Sequence, residues 1–382
     1  MKLAIFTDTY LPQVNGVVRT TARITAYLRE QNVPFLVFTP DCGATQPDSN
    51  VHTFPAFDLP FYPECKIALP SYSKIKNVLN GFKPDLLHVL TEFSMGLCGT
   101  KYASEHRLPV VASYTTNFPQ YLSYYKIGFL ESQAWSYLRW FHNQCDLNLC
   151  PTQETRSVLL KRSIRNTAIW GRGIDTDFFA PHKKNDFLKK FAPDKDFFFL
   201  YVGRLAPEKN LDVIFNAWEY VSKRLPEAAL VITGDGPQAM ELKQKKSAGV
   251  IFTGYLHGEE LAATYASSDV FVFPSTTETF GNVVLEAMAS GLPVVAAAAG
   301  GVKNLLQDGS NGIACRPRSS NDMILAMLKL AGNKELRNRM GSEARQFALK
   351  RSWAGILEGL LQYYREITEL PAPCHKAPPV GA

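Results

Sequence analysis

Two cations directly follow an apolar, strand-like run in the C-terminal half of the chain. Arg204 and Lys209 come after the run Phe197–Val202, and Gly203 allows a tight exit from that strand. A guanidinium offers a fork of donors that matches phosphate oxygens, and an ammonium group supplies a compact positive charge. Two fixed cations at the mouth of a sheet could neutralise the charge of a leaving diphosphate. The same pair taken alone is also typical of a solvated surface loop.

Two carboxylates follow another strand-like run, Val270–Phe273. Glu278 and Glu286 stand eight residues apart, which places the first in a loop and the second more than one turn inside a helix. Free N–H groups of the first helical turn would face a phosphate or a sugar oxygen. These groups belong to Phe280, Gly281 and Asn282. The carboxylates could accept hydrogen bonds from sugar and ribose hydroxyls, although each alone also fits a helix-terminal or solvated acid.

Glycines at two further strand ends would let a ligand approach the backbone closely. Gly234 follows the strand-like run Leu230–Thr233, and Gly16 stands in the loop between the first strand, Leu3–Phe6, and a helix. Helix N-termini favour anions, which suits a phosphate at either place. A plain tight turn is the alternative interpretation of both glycines.

The elements that must position these residues alternate along the chain. Short apolar runs alternate with amphipathic stretches such as Thr20–Glu30 and Met95–Glu105, which predicts parallel sheets. The alternation restarts after a loop-rich, charged segment at 171–196, so we predict two successive α/β domains. The other predicted strands are Phe35–Thr39, Leu86–Leu90, Val110–Ser113, Leu147–Cys150, Val250–Thr253 and Pro293–Ala296. Because open α/β sheets bind ligands at the carboxyl ends of their strands, the residues named above should share one cleft.

The composition excludes several classes of protein. The 382 residues carry a net charge of +6, which suits small anions or an anionic membrane surface but is too weak to indicate nucleic acid. The seven cysteines are scattered without a C-x-x-C pair, which indicates reduced thiols and neither a disulfide framework nor a zinc site. A secretory signal pattern and an apolar stretch of the ~18–20 residues of a spanning helix are both missing. We therefore expect a cytoplasmic protein, with any membrane contact peripheral and on the inner face.

Taken in order, these segments resemble family 4 of the retaining glycosyltransferases, which have the GT-B architecture. The specific motifs are G-R-x-x-x-E-K at Gly203–Lys209 and E-x7-E at Glu278–Glu286. Weaker matches are Gly234–Pro237 and Arg172–Phe179. The opening segment Phe6–Val17 is most similar to the branch that contains bacterial α-mannosyltransferases of glycolipid synthesis and plant sulfolipid synthases.

The resemblance implies an architecture and a reaction. It implies two facing Rossmann-like domains at 1–172 and 173–351, with a helix at 352–368 crossing back onto the first, and we expect a disordered tail at 369–382. The implied reaction moves a hexosyl group from GDP-mannose or a UDP-sugar to an acceptor hydroxyl, with retention and an α-linkage. No cofactor and no bound metal are implied, in agreement with the absence of a D-x-D motif in a plausible metal site.

The resemblance also implies a role for each motif residue. Arg204 and Lys209 would hold the donor diphosphate, and Gly16 would meet it from the other domain. Glu278 would contact the transferred sugar and Glu286 the ribose. Further donor contacts are expected from Gly203, Gly234, Tyr255, Leu256, Phe280, Gly281 and Asn282, with the base near Tyr255 and Leu256.

One residue departs from the family pattern. Relatives usually have a His after Ser113-Tyr114, beside the transferred sugar, whereas this chain has Thr115. A Thr hydroxyl can hydrogen-bond a sugar but cannot carry a positive charge. We expect Thr115 to take part in catalysis at that position, with an altered rate or an altered choice of sugar.

The acceptor side is less specific. The segment Phe118–Cys145 is rich in aromatic residues, which suits a lipid acceptor entering at an anionic membrane surface or, equally simply, ordinary core packing. We expect acceptor contacts from Asp8, Asn117 and Tyr121, with a lipid or glycan as acceptor. Two other functions remain open from the sequence: a catalytically weak nucleotide-sugar-binding protein, and another GT-B enzyme such as a sugar-nucleotide epimerase.

Overall fold

The computed structural model of the chain describes residues 1–13, 15–43, 48–59, 62–124, 127–245 and 247–369. Apart from Glu369, the tail expected to be disordered at 369–382 lies outside the described residues, as does Tyr125 of the aromatic segment. Among the helices of the described ranges, none combines the length and the apolar character that a bilayer crossing requires.

The first domain is built on a parallel sheet, which in the described residues has seven strands in the order β3-β2-β1-β6-β7-β8-β9. The strands are β1 Leu3–Phe6, β2 Phe35–Pro40, β3 Val51–Phe54, β6 Leu86–Val89, β7 Val110–Ser113, β8 Leu147–Cys150 and β9 Thr167–Ile169, with an antiparallel hairpin of β4 Ala56–Leu59 and β5 Tyr62–Ala68. The helices are α1 Gly16–Glu30, α2 Tyr72–Phe82, α3 Ser94–His106, α4 Phe118–Tyr124, α5 Glu131–His142 and α6 Gln153–Lys161. Its central strands are buried along their whole length, because helices cover both faces.

The second domain repeats this plan with a parallel sheet in the order β12-β11-β10-β13-β14-β15. The strands are β10 Phe197–Val202, β11 Ala228–Thr233, β12 Val250–Gly254, β13 Val270–Phe273, β14 Val294–Ala297 and β15 Gly312–Cys315. The helices are α7 Leu211–Val221, α8 Ala239–Gln244, α9 Gly258–Ala266, α10 Asn282–Ala289, α11 Ser320–Gly332, α12 Lys334–Leu349 and α13 Trp353–Glu369. The predicted α/β class with two Rossmann-like domains is therefore correct.

In both sheets the strand order reverses beside the first strand of the domain. β1 pairs with both β2 and β6, and β10 pairs with both β11 and β13, always in parallel. Such a reversal opens a crevice at the carboxyl ends of the two central strands, where α/β proteins bind ligands. The two crevices set the place of the candidate site.

The last helix, α13, packs on the first domain although it follows the second in sequence. Its buried residues Leu357, Leu360 and Leu361 belong to the apolar cluster that contains Leu3 and Ile5 of β1. The Trp170 indole N–H donates to the carbonyl of Ile356 at 2.9 Å. The last helix therefore packs back on the first domain, as the resemblance implied. The domain boundaries at 172 and 351 stay predictions.

Candidate active site

A cavity of about 620 Å³ lies between the two domains at the carboxyl ends of their central strands. It is lined by fourteen of the sixteen residues that the sequence nominated: Asp8, Gly16, Thr115, Tyr121, Gly203, Arg204, Lys209, Gly234, Tyr255, Leu256, Glu278, Phe280, Gly281 and Asn282. The other two, Asn117 and Glu286, do not line it. Residues of both domains therefore face one volume of the size of a small-molecule site.

Lys209 and Glu278 form an ion pair in the wall of this cavity. The Lys209 Nζ lies 2.5 Å from Oε1 of Glu278, and the Ser275 hydroxyl donates to the same oxygen at 2.8 Å. Burial alone would lower the pKa of Lys209, but the adjacent carboxylate raises it well above its ordinary value. The ammonium group therefore stays charged and fixed in place.

Arg204 has its own carboxylate partner, Glu208. The guanidinium Nη1 lies 3.5 Å from Oε1 of Glu208, whose side chain is only 1% exposed. The Tyr201 hydroxyl at the end of β10 donates to the carbonyl of Arg204 at 2.9 Å, which fixes the exit of the strand. Sequence reasoning gave Glu208 no role, although it is the acid of the G-R-x-x-x-E-K motif. Each cation is thus balanced by a glutamate.

The loop between β13 and α10 depends on glycines from two segments. Gly281 precedes the first residue of α10 and has φ 97°, a left-handed conformation that glycine adopts without cost. The Gly301 N–H donates to the carbonyl of Glu278 at 2.6 Å. A Cβ at Gly300, where φ is 53°, would lie 2.5 Å from that carbonyl oxygen. Sequence reasoning missed Gly300 and Gly301, because their role exists only where the two loops meet.

Both carboxylate oxygens of Glu286 accept hydrogen bonds from other side chains of the protein. Arg19 of α1 donates to Oε1 at 2.6 Å, and the Tyr265 hydroxyl donates to Oε2 at 2.9 Å. The Glu286 side chain is 5% exposed, whereas that of Arg19 is 45% exposed. The contact joins the two domains, and the ribose role of Glu286 stays a prediction.

The first domain approaches α10 closely at Gly16. Asn15 caps α1, because its side-chain oxygen accepts from the Val18 N–H at 2.9 Å, and this places Gly16 in the first turn. A Cβ on Gly16 would lie 3.0 Å from Nδ2 of Asn282. A glycine at this position therefore lets backbone from both domains border the cavity.

Thr115 lies where the two domains meet. Its carbonyl accepts from the Thr279 hydroxyl at 2.8 Å, and its own hydroxyl donates weakly to Leu90 at 3.4 Å. The Thr279 carbonyl in turn accepts from Thr152 and Thr155 at 3.2 and 3.1 Å. Thr115 borders the cavity, as expected, and its role in catalysis stays a prediction.

The three residues expected on the acceptor side differ in accessibility. The carboxylate of Asp8 accepts from the side chains of Thr91 and Ser94 and from the N–H of Met95, and burial raises its pKa. Asp8 thus secures the start of α3 while bordering the cavity. Tyr121 also borders it, and burial raises its pKa to about 12. Asn117 bonds Tyr114 and Gln120 instead, at 3.1 and 2.9 Å.

Core packing accounts for part of the aromatic segment, and the lipid-entry interpretation stays a prediction. Trp135 and Phe141 are buried in the first domain, as core packing requires. Phe129 and Trp140 are 75% and 54% exposed, which leaves apolar surface beside the cavity-lining helices. The residues that sequence reasoning missed in the cavity wall include Glu92, Arg172 and His257. Glu92 could have been found, because it follows a central strand as Asp8 does.

A metal site is not apparent in the part of the chain that the structure describes. There, no three or more His, Cys, Asp or Glu side chains lie together as a set of ligands. Arg204 and Lys209 are among the cations of the described wall that suit a diphosphate, and the metal-free donor site stays a prediction.

Gly234 is the cavity glycine on which stability should depend most. Its φ is 132°, and a Cβ there would lie 2.0 Å from the carbonyl oxygen of Gly203. We expect Gly234→Ala to lower the free energy of unfolding by about 2–3 kcal/mol, from backbone strain plus overpacking. Gly254 is the matched control, because its φ is 73° but a Cβ would meet nothing within 4 Å. Urea denaturation should give Gly254→Ala a loss of about 1 kcal/mol; equal losses would contradict the role of the close contact.

The chain was compared with family models, curated proteins and solved structures. It matches the model for Glycosyltransferase Family 4 over residues 14–178 and that for Glycosyl transferases group 1 over residues 182–347. It is 33% identical over 376 residues to the GDP-mannose-dependent alpha-mannosyltransferase of Mycobacterium tuberculosis, covering 96% of this chain and 97% of the relative. The sulfoquinovosyl transferase of Arabidopsis thaliana is 32% identical over 92% of this chain and 71% of its own.

Two further similarities bear on acceptor and fold. The alpha-monoglucosyldiacylglycerol synthase of Streptococcus pneumoniae is 30% identical over 81% of this chain and 74% of its own. The crystal structure of Anabaena HepE in complex with UDP and glucose superposes with a TM-score of 0.77 at 20% identity, covering 96% of this chain and 99% of that one. At that identity the similarity concerns the fold.

Proposed function

We propose a donor, a reaction course and an acceptor from one premise: the chain belongs to the family 4 glycosyltransferases and is a hexosyltransferase. The predicted family and branch are confirmed by the mannosyltransferase and sulfoquinovosyl transferase relatives. Because the chain is a family 4 glycosyltransferase, the two alternative functions, a sugar-nucleotide epimerase and a catalytically weak nucleotide-sugar-binding protein, are disfavoured. We propose that the enzyme transfers mannose from GDP-mannose, with retention and formation of an α-linkage, to a hydroxyl of a glycolipid acceptor.

The observation that carries the donor site is the pair of fixed cations. Arg204 and Lys209 line the cavity, with side chains only 12% and 13% exposed. A diphosphate placed between them and the start of α10 would receive charge-assisted hydrogen bonds in a poorly hydrated site, where they are strongest. As the bond from the sugar C1 to phosphate breaks, these groups would stabilise the charge that develops on the leaving diphosphate.

The proposed reaction keeps the acceptor on the same face of the sugar as the leaving group. The acceptor oxygen forms its bond to C1, and its proton passes to the phosphate oxygen that departs. This course does not need a protein base, so the Thr at position 115 in place of a His is compatible with turnover. Thr115 would hydrogen-bond the transferred sugar.

Two relatives support the choice of donor and acceptor. A mannosyltransferase named for GDP-mannose matches nearly the whole chain, which favours guanine and mannose over a UDP-sugar. The similarity to an alpha-monoglucosyldiacylglycerol synthase, together with the exposed Phe129 and Trp140, favours a lipid acceptor. We propose a cytoplasmic enzyme that contacts the membrane peripherally, which sedimentation with anionic vesicles would test.

Calorimetric titration with GDP, UDP and ADP, with and without EDTA, tests the donor site. We expect micromolar binding of GDP that EDTA does not change and that Arg204→Ala weakens. Tighter binding of UDP than of GDP would mean that the donor is a UDP-sugar and not GDP-mannose. The proposed role of the two cations would be unchanged. Binding that requires a divalent metal, or no binding at all, would contradict the proposed site.

Glu286 should affect nucleotide affinity more than Arg19 does. We expect Glu286→Ala to weaken GDP binding about 10–100-fold, because a carboxylate bonded to ribose is worth about 1.5–3 kcal/mol. Arg19→Ala breaks the same 2.6 Å contact between the domains but leaves the carboxylate, so it should raise the dissociation constant less than Glu286→Ala does, although Arg19 also lines the cavity. Calorimetry distinguishes the two roles: equal losses would mean that Glu286 acts only by joining the domains.

A further inference from the structure

Arg172 is a buried cation in the cavity wall that has no part in the proposed reaction. It follows β9 and is only 6% exposed. Burial lowers its pKa to about 10, which still leaves the guanidinium charged at neutral pH. A buried charge is costly unless an opposite charge or hydrogen bonds compensate it, so the position of Arg172 calls for a partner.

Arg172 differs from other cations of the cavity wall in having no carboxylate beside it. Three of those cations are each paired with a glutamate; the pairs are Arg19–Glu286, Arg204–Glu208 and Lys209–Glu278. Within the ranges that the structure describes, no Asp or Glu forms such a pair with Arg172. Its positive charge is therefore left for an anion that the chain itself does not supply.

The guanidinium of Arg172 is held in place by one of its nitrogens and by a ring. Its Nη1 donates to the carbonyls of Trp170 and Gly171, both at 3.1 Å. Its central carbon lies 4.5 Å from the centre of the Trp170 ring, and that ring is fixed by the hydrogen bond from its N–H to Ile356. A guanidinium held in this way loses little freedom when it binds a ligand.

The donors that remain on Arg172 are Nε–H and Nη2–H. Neither donates to an acceptor in the described part of the chain, and neither nitrogen is among the buried atoms that solvent cannot reach. The two groups lie on the same edge of the guanidinium and form the fork that matches two oxygens of one phosphate group. The free edge of Arg172 is thus suited to an oxyanion.

We propose that this edge of Arg172 faces the cavity and binds a phosphate group of a substrate through Nε–H and Nη2–H. The inference rests on the proposed transferase function and adds a phosphate-binding cation from the segment after β9. The phosphate can come from the donor diphosphate or from an acceptor that carries a phosphate group. Both sources present the same pair of oxygens to the fork, and titration with separate ligands distinguishes them.

Calorimetric titration of the parent and of Arg172→Gln with GDP, inorganic pyrophosphate and guanosine tests the donor as the source. If the donor diphosphate is the ligand, Arg172→Gln should raise the dissociation constants of GDP and pyrophosphate about 10–100-fold, the value of hydrogen bonds to a charged group. Guanosine has no phosphate, so its constant should stay within about twofold. A variant that merely folds poorly would not lose affinity for the phosphate-bearing ligands alone.

The matched control is Arg156→Gln. Arg156 belongs to the same domain and donates from Nε to the carbonyl of Thr167 at 3.2 Å, but it does not line the cavity. The control variant should bind GDP, pyrophosphate and guanosine within about twofold of the parent. It separates the loss of a phosphate contact from the general effect of removing a partly buried arginine.

Titration of the GDP-saturated protein with glycerol 3-phosphate tests the acceptor as the source. In that case Arg172→Gln should leave GDP and pyrophosphate unchanged and weaken glycerol 3-phosphate about 10–100-fold, with glycerol as the phosphate-free comparison. Unchanged GDP and pyrophosphate constants together with unchanged or absent binding of glycerol 3-phosphate would overturn the proposal. Equal weakening of GDP and guanosine would overturn it too. A parent that binds no GDP would contradict the proposed function instead, while pyrophosphate would still report on Arg172.

Discussion

The variant Arg204→Ala is expected to turn over about 10²–10³-fold more slowly than the parent enzyme. The substitution removes a guanidinium that is 12% exposed and that borders the cavity where the diphosphate is proposed to leave. Charge on the leaving group grows as the reaction proceeds, so the loss should fall mainly on kcat. Steady-state kinetics of sugar release from GDP-mannose would measure it.

Stability must be separated from rate in this experiment. Arg204 contacts the buried Glu208 at 3.5 Å, so its removal should also lower the free energy of unfolding, by about 1–3 kcal/mol. Adding Glu208→Gln should recover part of that stability but none of the rate. Arg204→Lys keeps a positive charge but loses the forked donors of the guanidinium, so its kcat should lie between those of the parent and Arg204→Ala. A kcat of Arg204→Ala equal to that of the parent would refute the role given to Arg204.

Lys209→Met and Glu278→Gln should each lower kcat by about 10²-fold or more, and the double variant should be little worse than the poorer single one. The two side chains touch at 2.5 Å, so removing either one displaces the other. Displacement of a positioned group by about 1 Å can cost that much rate. Groups in direct contact give non-additive losses, which a double-mutant cycle on kcat measures.

An exposed ion pair of the same domain provides the control for this cycle. Lys183 and Glu259 lie 2.9 Å apart, and the Glu259 side chain is 70% exposed. Lys183→Met and Glu259→Gln should leave kcat within about twofold, because exposed pairs contribute little and these lie outside the cavity wall. Fully additive losses at Lys209 and Glu278 would mean that the cation and the carboxylate act independently.

Most of the sheet framework could be predicted from local sequence. The expected runs Leu3–Phe6, Val110–Ser113 and Phe197–Val202 coincide with β1, β7 and β10. Strands buried on both faces are continuous apolar runs, so their limits are visible in the residues themselves. Three edge strands, β3, β9 and β15, were missed, whereas the edge strand β12 had been predicted at Val250–Thr253.

The sequence by itself determined the two-domain plan and nominated the residues at the strand ends, because parallel sheets collect their loops at one edge. Only the tertiary structure decided which of these residues touch. Lys209 meets Glu278 across 69 positions, Arg19 meets Glu286 across 267, and Glu92 meets His142 across 50. Such pairs leave no periodic trace in the chain, because they depend on the order of the strands and on the packing of one domain against the other.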